Sequence, residues 1–358
     1  MTNYELINLS DNSSRLIIPE ATTRIGVDTE FLRERTYYAK LCLVQVATSS
    51  GTICIDPLSA SAADNFLREL MKYEWILHAA RQDLEIVFEA SNRLPDKVFD
   101  TQIAAAMLGF PAQVGYAGLV KQLFNVNLDK AYTRADWSKR PLSEALLKYA
   151  AEDVHYLLPA YESLAEKLKS IGRFDWALED SQYLLDASLY QTEPAAAIER
   201  LKGARKLQGK PFAVAKNLAT WREEEAIKTN KPRKWVISDR LLLNIAVGLP
   251  DSMASLARID KMPEKLVQRS GKYFLQIIER AEPSQLASQR PTRLNEKQRA
   301  TLKEMKRKVV TIAHSLGIAA EIIAPKKELS AAVVGNRKSR VFHGWREKII
   351  GKQLLELL

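Results

Sequence analysis

The first half of the chain alternates short apolar runs with stretches that have helical spacing. Three apolar runs follow one another closely, at Arg24–Asp28, Leu41–Val46 and Thr52–Asp56, and each has the length and side-chain content of a β-strand. Thr48–Gly51, between the second and third runs, is made of turn-forming residues. The pattern therefore predicts three strands, of which the last two form an antiparallel hairpin.

Two more strands are predicted further along, at Trp75–His78 and Lys97–Phe99. Helical spacings at Ala62–Met71 and Asp83–Ala90 precede and separate these two strands. Strands that alternate with helices indicate a layered α/β domain.

Helices dominate the remainder of the chain. The apolar spacing from Leu142 to Leu168 predicts one long helix, which Pro159 is expected to kink or divide. Beyond about Ser181 the strand signal fades, and amphipathic spacings interrupted by prolines continue to the C-terminus. The second half is therefore predicted to be all-α.

This helical half contains an internal similarity. Val236–Gly248 resembles Ile322–Gly335 with one residue inserted, at an offset of 86 to 87 residues. The similarity favours two related helical modules of about 80 residues each. Chance similarity between amphipathic helices is the alternative.

Composition and charge add a second contrast between the halves. With 46% hydrophobic and 27% charged residues, the chain has the composition of a folded protein rather than a disordered, collagen-like or coiled-coil one. Residues 1–175 contain 19 Lys and Arg against 23 Asp and Glu, whereas residues 176–358 contain 34 against 20. A basic half is expected of a surface that neutralises phosphates, and basic residues that only solvate helix faces are the alternative.

The sequence was also compared with the patterns of membrane spans, targeting signals and disulfide frameworks. No apolar run approaches the length of about 18 residues that a membrane span needs, and the N-terminus resembles neither a secretory signal nor a transit peptide. A cytoplasmic protein without a membrane partner is expected. Cys42 and Cys54 lie inside apolar runs and are predicted to be buried small hydrophobic residues rather than a disulfide or metal ligands.

Acidic side chains end the first predicted strand. Asp28 and Glu30 are two residues apart, so an extended backbone places both carboxylates on one face. Two such charges at about 4 Å repel by ~4 kcal/mol at an effective dielectric constant of 20. A divalent cation would remove that repulsion, although surface positions at a strand end are the alternative.

More acidic residues follow in similar settings. Asp83 comes just after another apolar strand, at a helix start, where an ordinary capping role is the alternative. Tyr149 and Asp153 lie one helical turn apart on the same face. Carboxylates and a phenol are hard oxygen groups, which favour Mg²⁺ or Mn²⁺ over zinc. The set fits two-metal phosphoryl chemistry, in which a tyrosine orients the attacking water.

The segments that carry these residues form a recognisable series. In chain order they are Gly26–Phe31, His78–Glu85, Phe99–Ala106, Thr133–Leu142 and Tyr149–Val154. Together they resemble the DEDD family of 3′-to-5′ exonucleases with a tyrosine in the last motif, and within it the ribonuclease D family. The resemblance covers roughly the first 170 residues.

The resemblance implies a ribonuclease-H-like fold and specific site roles. Asp28, Glu30 and Asp153 would surround one metal ion, Asp28 would be shared with a second ion, and Asp83 would complete that second site directly or through water. Tyr149 would position the attacking water. Six more residues are candidates for nucleic-acid contact, with packing or surface roles as the alternative. They are Thr29, Phe31, His78, Arg134, Trp137 and Arg140.

The helical half resembles the HRDC module, clearly from about Lys206 to Ala281 and more weakly from about Leu294 to Leu358. The predicted organisation is an exonuclease domain at 1–175, a helical linker at 176–205, a first HRDC domain at 206–285 and an HRDC-like domain at 291–358. The second module would either bind nucleic acid or brace the catalytic domain.

The expected function is that of a monomeric, metal-dependent 3′-to-5′ exoribonuclease that releases mononucleotides and trims the 3′ ends of tRNA precursors and other structured RNAs. Its expected cofactors are two Mg²⁺ or Mn²⁺ ions. A helicase-associated DNA exonuclease is the nearer alternative, because the same acids serve either sugar. A non-catalytic RNA-binding adaptor is the more distant one.

Overall fold

The structure is a computed structural model that describes residues 4–8, 18–58, 63–129, 131–132, 135–283 and 294–358. The described residues form two compact units. The first unit draws on 1–32, 39–190 and 295–358, and the second draws on 33–38 and 191–294. The second predicted helical module thus packs as part of the first unit rather than as a separate body.

A six-stranded mixed sheet is the centre of the first unit, with the strand order β1-β4-β3-β2-β5-β6. β2 pairs with β3 and β3 with β4 in antiparallel fashion, which confirms the predicted hairpin, whereas the other three pairings are parallel. The strands are β1 (Tyr4–Asn8), β2 (Arg24–Leu32), β3 (Lys40–Thr48), β4 (Gly51–Asp56), β5 (Glu74–Leu77) and β6 (Lys97–Asp100).

Helices cover both faces of this sheet. On one face Val44 and Val46 of β3 pack with Leu84 of a helix in a core cluster. On the opposite face Leu43 packs with Ala150 of another helix. The helices of the first unit up to residue 182 are α1 (Ala63–Leu70), α2 (Arg81–Ser91), α3 (Thr101–Met107), α4 (Tyr116–Phe124), α5 (Glu144–His155), α6 (Leu157–Ser170) and α7 (Phe174–Gln182). This arrangement confirms the layered α/β architecture expected from the sequence.

The long helix predicted at Leu142–Leu168 is two helices, and its break differs from the prediction. The chain leaves helical geometry at Tyr156, between α5 and α6, and not at Pro159. Pro159 is the third residue of α6, where the backbone N–H has no partner within the helix. The proline is therefore tolerated in the first turn and does not divide the helix.

The second unit is all-helical. Its helices are α8 (Ala197–Arg200), α9 (Gly209–Thr229), α10 (Arg233–Val236), α11 (Asp239–Gly248), α12 (Met253–Ala257) and α13 (Glu264–Arg280). Fully buried Leu218, Leu242 and Phe274 from three of these helices share one hydrophobic core. Within this unit the buried carboxylate of Glu223 accepts hydrogen bonds from Arg233 and Tyr37.

The C-terminal helices repeat the local pattern of the second unit. They are α14 (Glu296–Leu316), α15 (Ala320–Ile323), α16 (Lys326–Val333), α17 (Gly344–Arg346) and α18 (Lys352–Leu355), with a π-helical turn at Glu347–Gly351. In both modules a 21-residue helix is followed by a four-residue helix and then a longer one. This shared order supports the internal similarity seen in the sequence.

A buried ion-pair network fastens the C-terminal helices to α7 within the first unit. Asp180 accepts hydrogen bonds from both terminal nitrogens of Arg346, and from Arg340 and the indole of Trp345. The rings of Trp345 and Trp176 stack with centroids 4.6 Å apart. The network supports the bracing role considered for this module. Within the described part of the chain, no helix is long and apolar enough to cross a membrane.

Candidate metal centre

Three carboxylates meet where β2 passes beneath α5. The side chains of Asp28 and Glu30 extend from the same face of β2, and Asp153 joins them from the last turn of α5. One oxygen from each of the three lies within 4.8 Å of the others. Among the described residues this is the only group of three or more such side chains close enough to hold a metal ion.

A glycine allows the helices to approach β2 this closely. A Cβ atom at Gly26 would lie 3.0 Å from the Cβ of Leu157 and 3.2 Å from the Cβ of Ala47. Leu157 is the first residue of α6, directly after the break that ends α5. The absence of a side chain at Gly26 therefore lets the α5–α6 junction rest on the sheet, which places Asp153 opposite Asp28.

The fourth acid, Asp83, has a separate environment. It is the third residue of α2 and is buried, and its carboxylate accepts a hydrogen bond of 2.6 Å from the hydroxyl of Thr29. Asp83 is not among the three clustered carboxylates. Its negative charge nevertheless helps raise the pKa values of both Asp28 and Glu30, so it lies close enough to act on them.

The turn that carries Asp83 is organised by another acid, Asp100, which the sequence analysis did not single out. Its buried carboxylate accepts hydrogen bonds from the backbone N–H groups of Ala79 (3.1 Å), Ala80 (2.8 Å), Gln102 (2.7 Å) and Ile103 (3.3 Å). Asp100 therefore caps α3 and also fixes the start of α2. Its sequence signal, an acid that ends an apolar strand, is the same as that of Asp28.

Burial raises the pKa values of all four acids, and the charge of at least one neighbouring acid raises each of them further. Burial is the main cause in each case, and it raises the pKa of Glu30 to about 9, of Asp153 to about 7 and of Asp83 to about 6. The pKa of Asp28 is also raised well above its usual range, by burial and by the charges of the other three acids. Hydrogen bonds from Tyr149 to Asp153 and from Thr29 to Asp83 oppose these shifts in part.

The donor set fits a hard divalent cation. Clustered carboxylate oxygens are the ligands that Mg²⁺ and Mn²⁺ prefer, and a bound cation would offset both the burial and the repulsion that raise the pKa of Asp28. Gln45, which pairs with Asp28 across β2 and β3, adds a second observation. Its amide is fully buried, and neither polar atom has a hydrogen-bond partner among the described residues. An unpaired amide beside Asp28 fits a site that takes up a hydrated ion.

We expect metal binding at this site to become stronger as pH rises from 6 to 9. In the folded protein the carboxyl groups of Asp83, Asp153 and Glu30 have pKa values of about 6, 7 and 9, above the ~4 of an unfolded carboxyl group. At neutral pH some of these groups are protonated, so a binding ion must displace their protons. Titration calorimetry with Mn²⁺ at pH 7, in buffers of different ionisation enthalpy, should show net proton release. Proton release close to zero would contradict the assigned protonation of the site.

The same shifts predict how stability depends on pH in the presence of a chelator. Because the folded state binds these protons more tightly than the unfolded state, protonation stabilises the fold. This stabilisation is fully present below pH ~4 and is lost as pH rises through the folded-state pKa values of about 6, 7 and 9. The melting temperature in EDTA should therefore fall from pH 6 to pH 9, and Mg²⁺ should reverse the fall. As a matched control, Asp28→Asn should melt higher than the wild type at pH 9 in EDTA, because it removes one of the repelling charges.

Tyr149 completes the centre from one turn earlier on α5. Its ring is buried, with the rings of Tyr132 and Trp137 at centroid distances of 5.8 and 6.3 Å. Burial and the nearby charges of Asp153 and Glu30 raise the pKa of its hydroxyl, which therefore stays protonated at neutral pH. The hydroxyl can donate a hydrogen bond but cannot serve as a base.

A second tyrosine near the acids, Tyr116, is not indicated by the sequence motifs. The hydroxyl oxygen of Tyr116 accepts a hydrogen bond of 3.0 Å from the backbone N–H of Tyr156, at the α5–α6 junction. Burial raises the pKa of Tyr116, and the charges of Asp153 and Asp28 raise it further. Tyr116 lies in none of the recognised sequence motifs, so only the fold reveals its position.

The candidates for nucleic-acid contact have different settings. The Thr29 side chain is buried and bonded to Asp83, and Phe31 is partly buried against the sheet core. Both ring nitrogens of His78 are engaged, with the Thr101 hydroxyl at 2.9 Å and the Val114 carbonyl at 2.8 Å. Burial lowers the pKa of His78, which favours the neutral ring.

Trp137 and Arg140, in the segment before α5, make their contacts inside the protein. The Trp137 side chain is 2% exposed and packs beside Tyr149. All five N–H donors of Arg140 are used inside the protein, to the carboxylate of Asp56 and to the carbonyls of Cys42, Trp137 and Lys139. These contacts favour packing over RNA contact for both residues. Arg134, the third candidate in this segment, lies outside the described residues.

We expect Arg140→Ala to lower the free energy of unfolding by about 3 kcal/mol. The substitution would leave the buried carboxylate of Asp56 without its partner and free three carbonyls. Urea denaturation followed by circular dichroism measures the change. Lys139→Ala, at a side chain that is 80% exposed, is the matched control and should be nearly neutral. Equal stability of the two variants would contradict the structural role of Arg140.

Comparisons with known proteins match both the sheet-containing region and the first helical module. The sequence model of the 3′-5′ exonuclease family matches residues 6–169, and that of the HRDC domain matches residues 212–278. Ribonuclease D of Jannaschia sp. (strain CCS1) is 37% identical over 351 residues, covering 93% of this chain and 89% of the relative. Ribonuclease D of Gluconacetobacter diazotrophicus is 34% identical over 345 residues, covering 93% and 87%.

The match to a solved structure extends over almost the whole chain. The crystal structure of Escherichia coli RNase D, described as an exoribonuclease involved in structured RNA processing, has a TM-score of 0.82 and 28% sequence identity. The match covers 94% of this chain and 93% of the E. coli chain. The similarity therefore extends beyond the exonuclease domain into the helical region.

Proposed function

Because the chain belongs to the ribonuclease D family and is a 3′-5′ exoribonuclease, we propose that it trims the 3′ ends of structured RNAs, tRNA precursors among them, with two divalent ions. The observation that carries the proposed chemistry is the meeting of Asp28, Glu30 and Asp153 within 4.8 Å. Asp83, held by Thr29, and Tyr149, one turn before Asp153, stand next to this group.

The proposed roles follow from these positions. Asp28, Glu30 and Asp153 would bind one ion, and Asp28 and Asp83 would bind the other, directly or through water. When bound, such ions lower the pKa of an attacking water and stabilise the negative charge on the leaving oxygen. Mg²⁺ and Mn²⁺ are the ions proposed, since all the ligands are carboxylates.

Tyr149 is proposed to orient the attacking water. Its hydroxyl remains protonated at neutral pH, so it does not accept the proton of the water, and once Asp153 binds an ion the O–H that now donates to this carboxylate can turn to the water. Packing against Tyr132 and Trp137 fixes its ring, which limits the positions that the hydroxyl can take. A fixed donor next to the nucleophile keeps the water aligned for attack on the terminal phosphodiester.

The helical residues are proposed to bind the body of the RNA. Residues 191–294 carry 20 Lys and Arg against 11 Asp and Glu, and residues 295–358 carry 14 against 6. Positive charge of this kind attracts phosphates whatever the base sequence. A preference for tRNA precursors is what the family resemblance suggests, and the structured RNA named for the E. coli protein supports it.

A precursor assay tests the proposal. A tRNA transcript with a short 3′ extension, labelled at its 5′ end, is incubated with the full chain and Mg²⁺, and the released products are identified by chromatography. The proposal predicts stepwise loss of the extension and nucleoside 5′-monophosphates as the products. Internal cleavage, or release of oligonucleotides, would contradict it. A transcript with a 3′-phosphate is the control and should resist trimming.

A further inference from the structure

The second unit has a groove between α9 and α13. The groove has a volume of about 290 Å³, at the small end of the range for ligand pockets. Its lining side chains recur at helical spacing on the two helices, so that a continuous stripe of each helix faces the groove. They include Asn217, Trp221 and Glu224 on α9 and Tyr273, Gln276 and Arg280 on α13.

Aromatic rings form part of this lining. Trp221 is partly buried, and its ring meets the fully buried ring of Phe274 edge-on at a centroid distance of 4.8 Å. Tyr273 is 46% exposed. A ring fixed by the core and an accessible ring beside it provide the kind of surface on which nucleic-acid bases stack.

Polar side chains in the groove have unused hydrogen-bonding capacity. Asn217, Gln276 and Arg280 are exposed, and none of their side chains has a hydrogen-bond or ion-pair partner among the described residues. Each amide presents a donor and an acceptor side by side, which matches the edge of a base. The groove thus combines stacking surfaces with groups that recognise base edges.

The groove lining carries one carboxylate, Glu224, and one guanidinium, Arg280, so it has no net positive charge that would favour a phosphate over a base. The carboxylate of Glu224 would repel a phosphate, but it can accept hydrogen bonds from the amino or imino groups of a base. Basic residues continue the same helix faces, with Arg269 one turn before Tyr273 and Lys228 one turn after Glu224. Phosphates would therefore lie along the rim, where these cations are available.

We propose that this groove binds one unstacked base of a single-stranded RNA segment. A base within an A-form duplex keeps its faces stacked, so the groove selects single-stranded regions of the substrate. The inference rests on the proposed RNA-binding role of the helical residues and adds a specific contact to it. Acidic peptides are disfavoured by Glu224, and apolar helices are disfavoured by the unpaired polar groups.

Binding measurements with the full chain test this assignment. In EDTA, which prevents hydrolysis, Tyr273→Ala is expected to weaken the affinity for a 12-nucleotide single-stranded RNA about tenfold, the loss of one stacked base. Affinity for a blunt RNA duplex should be unchanged. The matched control is Trp235→Ala, since Trp235 is 62% exposed on the same unit but outside the groove. Equal losses in both variants, or no loss in Tyr273→Ala, would overturn the assignment.

Photocrosslinking gives a second readout that does not depend on a substitution. A 4-thiouridine oligoribonucleotide irradiated with the wild-type chain should crosslink to tryptic peptides that contain Trp221 or Tyr273. Crosslinks confined to other peptides would contradict the proposal. Hydrolysis assays distinguish a failure of the groove proposal from a failure of the proposed function. If Tyr273→Ala degrades RNA from the 3′ end and binds it with unchanged affinity, only the groove proposal is rejected. If the wild type degrades no RNA, the proposed function is rejected.

Discussion

Asp28→Asn is expected to lower kcat/KM for RNA hydrolysis by a factor of about 10³ or more. Asp28 is the acid proposed to contact both ions. Burial and the charges of three neighbouring acids raise its pKa when no ion is bound. An uncharged amide cannot supply the negative ligand that both ions share, although it occupies nearly the same volume. Hydrolysis is measured on 3′-tailed RNA at saturating Mg²⁺.

RNA binding is the control for this variant. In EDTA, Asp28→Asn should bind RNA at least as tightly as the wild type, because it removes a negative charge and leaves the basic residues in place. A folded variant that retains more than a tenth of the wild-type activity would contradict the assignment of Asp28. A variant that loses activity and RNA binding together would indicate a folding defect instead of metal loss.

Tyr149→Phe is expected to lower kcat by about 10- to 100-fold with little effect on KM. The phenylalanine ring keeps the packing against Tyr132 and Trp137 and removes only the hydroxyl that is proposed to orient the water. The carboxylates all remain, so Mn²⁺ affinity measured by calorimetry should change less than threefold. A large loss of metal affinity at unchanged kcat would assign Tyr149 to metal binding and reject the water-orienting role.

A tyrosine in the same unit provides the matched control. Tyr132→Phe removes a hydroxyl from the ring that packs against Tyr149, and should leave kcat close to the wild-type value. If both variants slow hydrolysis equally, the effect of Tyr149→Phe comes from packing and not from a hydroxyl directed at the nucleophile.

The sequence predicted the parts of the fold that depend on local pattern. The runs at Arg24–Asp28, Leu41–Val46 and Thr52–Asp56 became β2, β3 and β4, and the hairpin followed from its turn residues. β1 was missed, because five residues carry too short an alternation and their pairing with β4 depends on contacts distant in the chain. The break at Tyr156 was also missed, since Pro159 suggested a different position.

For the acids of the candidate site, too, local sequence pattern predicts only part of what the structure shows. Asp28, Glu30 and Asp153 were chosen from motif spacing, and the structure brings them together. Asp100 and Asp56 also end apolar strands, but Asp100 caps α3 and holds the turn before α2, and Asp56 pairs with Arg140. The sequence pattern of these acids is alike, and only their partners in the fold separate the clustered carboxylates from the structural ones.

Residues ahead of α5 illustrate why basic and aromatic side chains were harder to assign. Trp137 and Arg140 have the residue types of an RNA contact, but the first is buried beside Tyr149 and the second uses every donor internally. Burial of this kind depends on how the segment folds back over the sheet. Spacing along the chain does not contain that information.

The most direct test of the central claim is metal-dependent degradation of end-labelled RNA and DNA of the same sequence by the wild type and Asp28→Asn. The account predicts stepwise shortening of the RNA from a free 3′ end, only with a divalent ion, slower degradation of the DNA, no shortening of 3′-blocked RNA, and loss of activity in Asp28→Asn. Faster degradation of DNA, or RNA cleavage that persists in EDTA, would contradict it.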